Sequence, residues 1–449
     1  MIVIATGISG SGKLHEADGT PGYVVRVVEE GNRRIAEEVR AGRWTSPIRR
    51  LRYLDMGNLM LERARDLGLV VRTETILDMA PEALQELRAI AFTEVVNDDA
   101  LWEPDLCTIL VTHACFWWKG HLIPGLDTHY LKLLFDETRR RMPLPDQTVV
   151  QETLPGLRLA PPVRPEGIFY ATVVDSIYQI QRRLDTTEQW RRKLTSDEVL
   201  AWQEQEVFTS MMLAAYERVP HYLIAHDEPI QTLFDLICFK RPKIYLGYPI
   251  TNLRREGQAH LIAMAREFGR SLRGHFVVFD PLSVKDEEAA AFARLSDREF
   301  DEQFSPAERE AILGWAGSLD QVRAWARALT DRTRLQLGRA TVVRDLRLID
   351  QSDMNVVFYP TSQMSFGVLA EVTHAHTTGK KVYIVYPYKS ISPFLEYYAT
   401  GVRNPRPEEP DPQTPEQIAA FMQRATDALL QELTRDHPSV VPERLESTR

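Results

Sequence analysis

Short apolar runs alternate with amphipathic stretches along most of this chain. MIVIA, IFYATVV, IYLGYPI and KKVYIVYP are too short for helices and dense in β-branched and aromatic residues, so they predict buried strands. RRLRYLDMG, CTILVTH, HYLIAHDE, HFVVFDP and MNVVFYP complete the predicted strands. Between them, the stretches 30–42, 58–67 and 81–97, with DSIYQIQRRLDTTEQWRRK, QAHLIAMAREFGRSL and VLAEVTHAHTTG, carry helical patterns. Apolar strands alternating with helices predict an α/β protein built on parallel, doubly wound sheets.

The rhythm breaks after KRPK. We read residues 1–240 as one domain and 241–403 as a second, with a charged helical insertion at about 284–340. LPGLRLAPPVRPEG reads as a proline-rich loop. NPRPEEPDPQTP is a stiff linker within the segment 404–449, which also holds a helix over about 415–435 and a polar tail. A length of 449 residues fits two domains, because one core rarely organises so many.

Charge and cysteine content narrow the partners. Net charge is -9 with the basic residues scattered, which argues against binding a nucleic acid polymer. No apolar run reaches the roughly 20 residues of a membrane span, so no membrane partner is expected. The chain opens directly on a core strand, and a cytoplasmic location is expected. Cys107, Cys115 and Cys238 lie far apart in apolar contexts and read as buried thiols.

GISGSGK follows the first strand with the spacing of a phosphate-cradling loop. Gly7, Gly10, Ser11 and Gly12 would supply backbone N–H groups, and Lys13 would reach the outer phosphates. The alternative is a glycine turn with no phosphate. LDMGNLMLERARDLGLV and THACFWWKGHLIPGLD extend the pattern, and residues 1–235 resemble the archaeal-type adenylate kinase family. The resemblance implies ATP, with Mg²⁺, as the ligand of this domain. It gives Arg182, Arg183, Arg191 and Arg192 a phosphate role, where the plain reading is a solvated basic helix face. Two departures bear on metal binding: Leu14 stands where a hydroxyl would hold Mg²⁺, and Val111 where an acidic residue is expected. Nucleotide binding is expected here, and fast phosphoryl transfer is not.

The second domain carries the other candidate site. In SFGVLAE, Gly367 lets a ligand approach the backbone, the helix start offers N–H donors to an anion, and Ser365 adds a hydroxyl. Glu371 lies one turn in, and Asp345 supplies a second carboxylate. Two carboxylates over a small site suit chemistry at a sugar's anomeric carbon. The plain alternative makes Ser365 a helix cap and Glu371 a solvated residue. His374 and His376, two apart on the same helix, point to different faces and are not read as metal ligands. Trp117 and Trp118 read as core or lid aromatics.

Tyr245 in IYLGYPI, Asp345 with Asp353 eight residues on, SFGVLAE and GKKVYIVYP together resemble the nucleoside 2-deoxyribosyltransferase superfamily over residues 243–400. The resemblance implies Glu371 as nucleophile, Asp345 as the proton-handling carboxylate and Tyr245 as an orienting residue. Ser365 matches the branch that hydrolyses 2′-deoxynucleoside 5′-monophosphates, whose serine holds the phosphate. Arg254 and Arg255 in YPITNLRR stand in, shifted, for that branch's phosphate loop. Ser390 and Ser392, in the loop after the last strand, are expected to close over the phosphate of a neighbouring subunit. The expected function is therefore hydrolysis of the N-glycosidic bond of a (deoxy)nucleoside 5′-monophosphate, with no cofactor, in a homodimer or higher homo-oligomer. The alternatives are a nucleoside monophosphate kinase with a C-terminal binding domain, and a nucleotide sensor in which neither site turns over.

Overall fold

Two compact units appear in the computed structural model, Met1–Asp227 with Val284–Gly338 and Glu228–Ser283 with Arg339–Arg449. The structure describes residues 1–16, 18–72, 75–141, 167–187, 189–191, 193–255, 259–304 and 306–437. The proline-rich loop, the polar tail and Arg192 fall outside these residues. The protein is α/β, and both large sheets are parallel throughout. Among the described residues no helix is long and apolar enough to cross a membrane.

The first unit's sheet uses β1 (Ile2–Thr6), β2 (Arg50–Asp55) and β3 (Leu106–Val111). A two-stranded ribbon of β4 (Cys115–Trp118) and β5 (His121–Pro124) follows. Lys119 and Gly120 both have positive φ, as the tight turn of such a ribbon requires. β6 (Ile168–Val174) and β7 (His221–Ala225) complete the sheet in the order β2-β3-β1-β6-β7. All of β1, β3 and β6 is buried, which accounts for their unbroken apolar sequence.

The basic stretch DSIYQIQRRLDTTEQWRRK divides. Its helix is Ile177–Thr186, and a second helix, Ser196–Glu217, starts at a capping box between Thr195 and Glu198. The helical segment counted with the second domain in the sequence groups with the first unit. The hydroxyl of Tyr178 and the side chains of Gln179 and Arg182 donate to the carbonyls of Ala316 and Trp315.

In the second unit the strands are β8 (Lys243–Gly247), β9 (Val277–Phe279), β10 (Met354–Phe358), β11 (Lys381–Val385) and β12 (Gly401–Arg403). Their order is β12-β11-β10-β8-β9. β8 leads outward to β9 on one side, while β10, β11 and β12 build the other. The chain therefore reverses direction between β8 and β10, the crevice where open parallel sheets take their ligands. Asp353 lies at the opposite end of β10, where its carboxylate accepts from Lys243 N and Nζ at 2.8 and 2.9 Å.

One face of this sheet is closed by the helices Ala259–Arg273 and Pro415–Asp436. The second of these begins at a capping box of Thr414 and Gln417 with Pro415 in its first turn. It presents Met422, Leu429 and Leu433, all fully buried, to the sheet. The terminal helix is thus part of the core. Leu429→Ala is expected to destabilise the second unit by about 2–4 kcal/mol; urea unfolding checks this, and a loss below about 1 kcal/mol would mean the helix is only peripherally docked.

Candidate active site

Alternation along β8 and β10 sorts their side chains between two faces. Ile244, Leu246 and Tyr248, with Met354, Val356 and Phe358, enter the core closed by the two helices. Tyr245, Gly247, Asn355 and Val357 therefore face the other way. The pairing sets Asn355 beside Tyr245 and Val357 beside Gly247. The helix Phe366–Thr377, reached directly from β10, carries Glu371, and the helix Asp331–Asp350 carries Asp345. Tyr245, Asp345 and Glu371 are brought together at the reversal between β8 and β10, close enough for their charges to act on one another.

Gly247 makes room for the glutamate. A β-carbon placed there would sit 3.1 Å from Glu371 Oε2 and 3.5 Å from Asn355 Oδ1. The Tyr245 hydroxyl, Glu371 Oε2 and both amide atoms of Asn355 are buried without a hydrogen-bond partner among the described residues. Such groups are rare in folded proteins, and each one weakens the fold. Burial, and then the charge of Asp345, push Glu371 up to about 8, against the pull of the nearby Tyr245 hydroxyl. The same burial, with Glu371 and Asp345 close by, holds the Tyr245 phenol well above its usual range. Arg344 pairs with Asp345 at 3.0 Å. This arrangement sets a proton-holding carboxyl near the Asp345 carboxylate and a buried phenol.

The expected phosphate residues are arranged around the helix start. Ser365 is the N-cap, and its hydroxyl accepts from Val368 N at 3.4 Å. That long bond leaves the serine proton free to donate. The Tyr359 hydroxyl fixes the preceding loop, accepting from Ser365 N and donating to the Gln363 carbonyl, both at 2.7 Å. At Gly367 a β-carbon would meet only Ser365 Oγ, at 3.9 Å, so the position borders open space. The Ser390 carbonyl accepts from the Tyr386 hydroxyl at 3.3 Å, and Ser392 starts the helix Pro393–Tyr398 without a side-chain cap bond. Arg254 and Arg255 end the helix Ile250–Arg255, and their side chains lie outside the described ones. His374 pairs with Asp350 at 2.7 Å, while His376 meets the Tyr398 carbonyl at 3.2 Å.

In the first unit the glycine loop is tightly held. Gly7, Gly10 and Gly12 all have positive φ, which explains the glycines. Glu206, on the helix Ser196–Glu217, accepts from the N–H groups of Gly7, Ala114 and Cys115, each at 2.8 Å. Lys13 is buried and folds back to donate to the carbonyls of Gly7 at 2.5 Å and Ile8 at 3.3 Å. Burial pushes it down to about 8, with Glu206 and Asp55 pulling the other way. Ser11 Oγ is buried and has no partner among the described residues.

After Lys13 the chain makes an excursion before its helix begins. The carbonyls of Gly12 and Lys13 accept from Tyr23 N and Val24 N, where the helix Tyr23–Arg40 begins. The excursion carries Glu16, which pairs with Arg183 at 2.9 Å and His226 at 2.5 Å. Arg183 also reaches Asp175 at 2.6 Å and the Gly10 carbonyl at 3.1 Å. Burial opposes the charge on His226, but hydrogen bonds to Asp227 and Glu16 lift it to about 9. Arg183 thus lies at the loop but is held by internal acids, whereas Arg182 is bonded to Trp315. Arg191 donates to the Asp185 carbonyl at 3.2 Å.

A cavity of about 350 Å³ opens beside the loop, lined by Lys13, Asp55, His113, Phe116 and Trp190 among others. Trp117 and Trp118 are not in its lining, and Trp118 packs on the core. All three cysteines are buried and unpaired to one another.

Sequence reasoning missed Asn355, Gly247, Glu206, Phe116 and Trp190. One signal was available: an asparagine inside the otherwise apolar MNVVF is out of place in a buried strand. A scan against models of known protein families matches none of them, and a search of curated proteins finds no match. The functional reading rests on the residues themselves.

Glu371 also sets a pH dependence. The folded chain holds a proton there that the unfolded chain releases, so this contribution to stability is complete below the ordinary carboxyl range and is lost as pH rises through about 8. Glu371→Gln should remove that loss. The variant is expected to match the wild type near pH 4 and to exceed it by on the order of 4 kcal/mol at pH 8. Urea unfolding across this range checks it, and a difference independent of pH would contradict the burial of this carboxyl.

Proposed function

We propose that the second unit hydrolyses the N-glycosidic bond of a (deoxy)nucleoside 5′-monophosphate. The observation that carries this reading is the buried, unpartnered Glu371 Oε2, set with Asp345 and Tyr245 at the reversal between β8 and β10. In the proposed reaction Glu371 passes its proton to Asp345 and attacks C1′. The C1′–N bond breaks, its electrons leave with the base, and Asp345 protonates that base. Water then attacks C1′ of the glycosyl–Glu371 ester, losing a proton to Asp345, and Glu371 is released. Tyr245 donates to the carboxylate during both steps. A desolvated anion gains most from a centre that turns cationic in the transition state.

Ser365 and the N–H groups at the start of Phe366–Thr377 would hold the 5′-phosphate. Phe366, Phe394 and Tyr397, 81%, 66% and 75% exposed, offer apolar surface for a second copy of the chain, consistent with a homodimer in which Ser390 and Ser392 complete the phosphate site. Arg254 and Arg255 remain candidates for the same anion.

For the first unit we propose nucleotide binding without rapid phosphoryl transfer. The glycine loop and its cavity suit an anionic ligand with a flat ring, but the donors for Mg²⁺ do not fit: Leu14 and Val111 occupy both expected positions. Asp55 is a carboxylate in the cavity lining, and it already caps the helix Met56–Asp66 through Gly57 N and Asn58 N.

The test is a panel of nucleoside monophosphates, scoring free base against newly formed di- or triphosphate. Base release is expected, and Glu371→Gln should lower it by about a thousandfold with the fold intact. A variant within about tenfold of wild type, or phosphoryl transfer as the main product, would remove the assignment.

A further inference from the structure

Asn355 lies in the middle of β10 and is fully buried, between strand neighbours that are all apolar. No backbone requirement explains an amide there. Its Nδ2 and Oδ1 both lack a partner among the described residues, although burying them removes both from water. Valine would fill much of the same space and suit the strand better, so stability does not account for the choice.

Its surroundings do. Asn355 pairs in register with Tyr245, and its Oδ1 and Glu371 Oε2 converge on the same point above Gly247. The groups that face Glu371 are the Tyr245 hydroxyl from β8 and the Asp345 carboxylate from the helix Asp331–Asp350, with Arg344 paired to Asp345. Tyr245 is a donor to an ionised carboxylate, and Asp345 repels one. A second donor is missing from that set, and the Asn355 amide borders the same point above Gly247.

An amide has a property that neither a carboxylate nor an ammonium has. Its oxygen accepts from a protonated carboxyl, and a half-turn about Cβ–Cγ presents its nitrogen to donate to the ionised form. The proposed reaction takes Glu371 through both forms at one position. We propose that Asn355 is a positioning residue for Glu371, accepting from its O–H before the reaction and donating to its carboxylate once the proton has left. The proposal rests on the reading of Glu371 as nucleophile, but its test does not need turnover.

Asn355→Val and Asn355→Thr differ from each other only by a hydroxyl, which donates and accepts as the amide does. The carboxyl band of Glu371, isolated by infrared difference against Glu371→Gln, gives the midpoint of its ionisation in each variant. The valine variant should raise that midpoint by about one pH unit, and the threonine variant by clearly less. In turnover, the fall of kcat/KM at alkaline pH, where the pair loses its proton, should shift upward in the same order. At pH 7 kcat of the valine variant should fall about tenfold, with KM within about twofold. A midpoint unmoved in the valine variant, or moved equally in both, overturns the proposal. If the wild type releases no base from any nucleotide, the glycosidase reading fails by itself, and the infrared midpoints still decide the role of Asn355.

Discussion

A carboxyl taken out of water weakens a fold unless donors or a cation stand against it. In the second unit that condition is unmet at Glu371 Oε2, and much of the local structure serves to keep the group there. Gly247 supplies the space, because any β-carbon would press on the oxygen. The register of β8 and β10 sets Tyr245 and Asn355 below it. Tyr359 pins the loop before Ser365, so the helix begins at a fixed point and places Glu371 one turn above the sheet. The opposite face is closed by an apolar core that leaves the strands little freedom to adjust. Strain of this kind persists where the surroundings over-determine it, and it gathers at functional sites.

Glu206 in the first unit provides the comparison. It too is buried, but three backbone N–H groups converge on its oxygens. Burial raises its pKa, while those bonds and Lys13 pull it down. That carboxylate shapes the glycine loop and is fully engaged in doing so. Arg183 is similar: Glu16 and Asp175 neutralise it beside Gly10. The first unit therefore has its buried charges paired, as a binding scaffold does, and the second keeps one buried carboxyl protonated beside a carboxylate, as the proposed chemistry requires.

The sequence disclosed these features unevenly, for physical reasons. Buried parallel strands are apolar on both faces, so the strands of the two large sheets were legible except short β12, and the half-buried ribbon of β4 and β5 was not. Glu371, Ser365 and Gly367 stood out because a helix start after a strand has few reasons to combine them. Asp345 was legible only as a second carboxylate, and it lies on the long helix Asp331–Asp350, which ends just before β10. Gly247 and Asn355 acquire meaning only from the register across β8 and β10, which no local pattern reveals. Glu206 meets Gly7 across 199 residues of chain, a separation at which sequence spacing carries no signal. The arginines of QRRLDTTEQWRRK illustrate the reverse case: spacing suggests a phosphate site, while Arg182 and Arg183 are bonded to protein groups.

The central claim is that Glu371 acts as the nucleophile at an anomeric carbon. A 2-fluorinated arabinosyl nucleoside 5′-monophosphate tests it most directly, because the fluorine destabilises the cationic transition states and a glycosyl ester accumulates when its breakdown becomes the slower step. Mass spectrometry of the intact protein after incubation should show one added fluorosugar phosphate per chain, and peptide mapping should place it on Glu371. Release of base with no adduct, or an adduct on any other residue, would contradict the account.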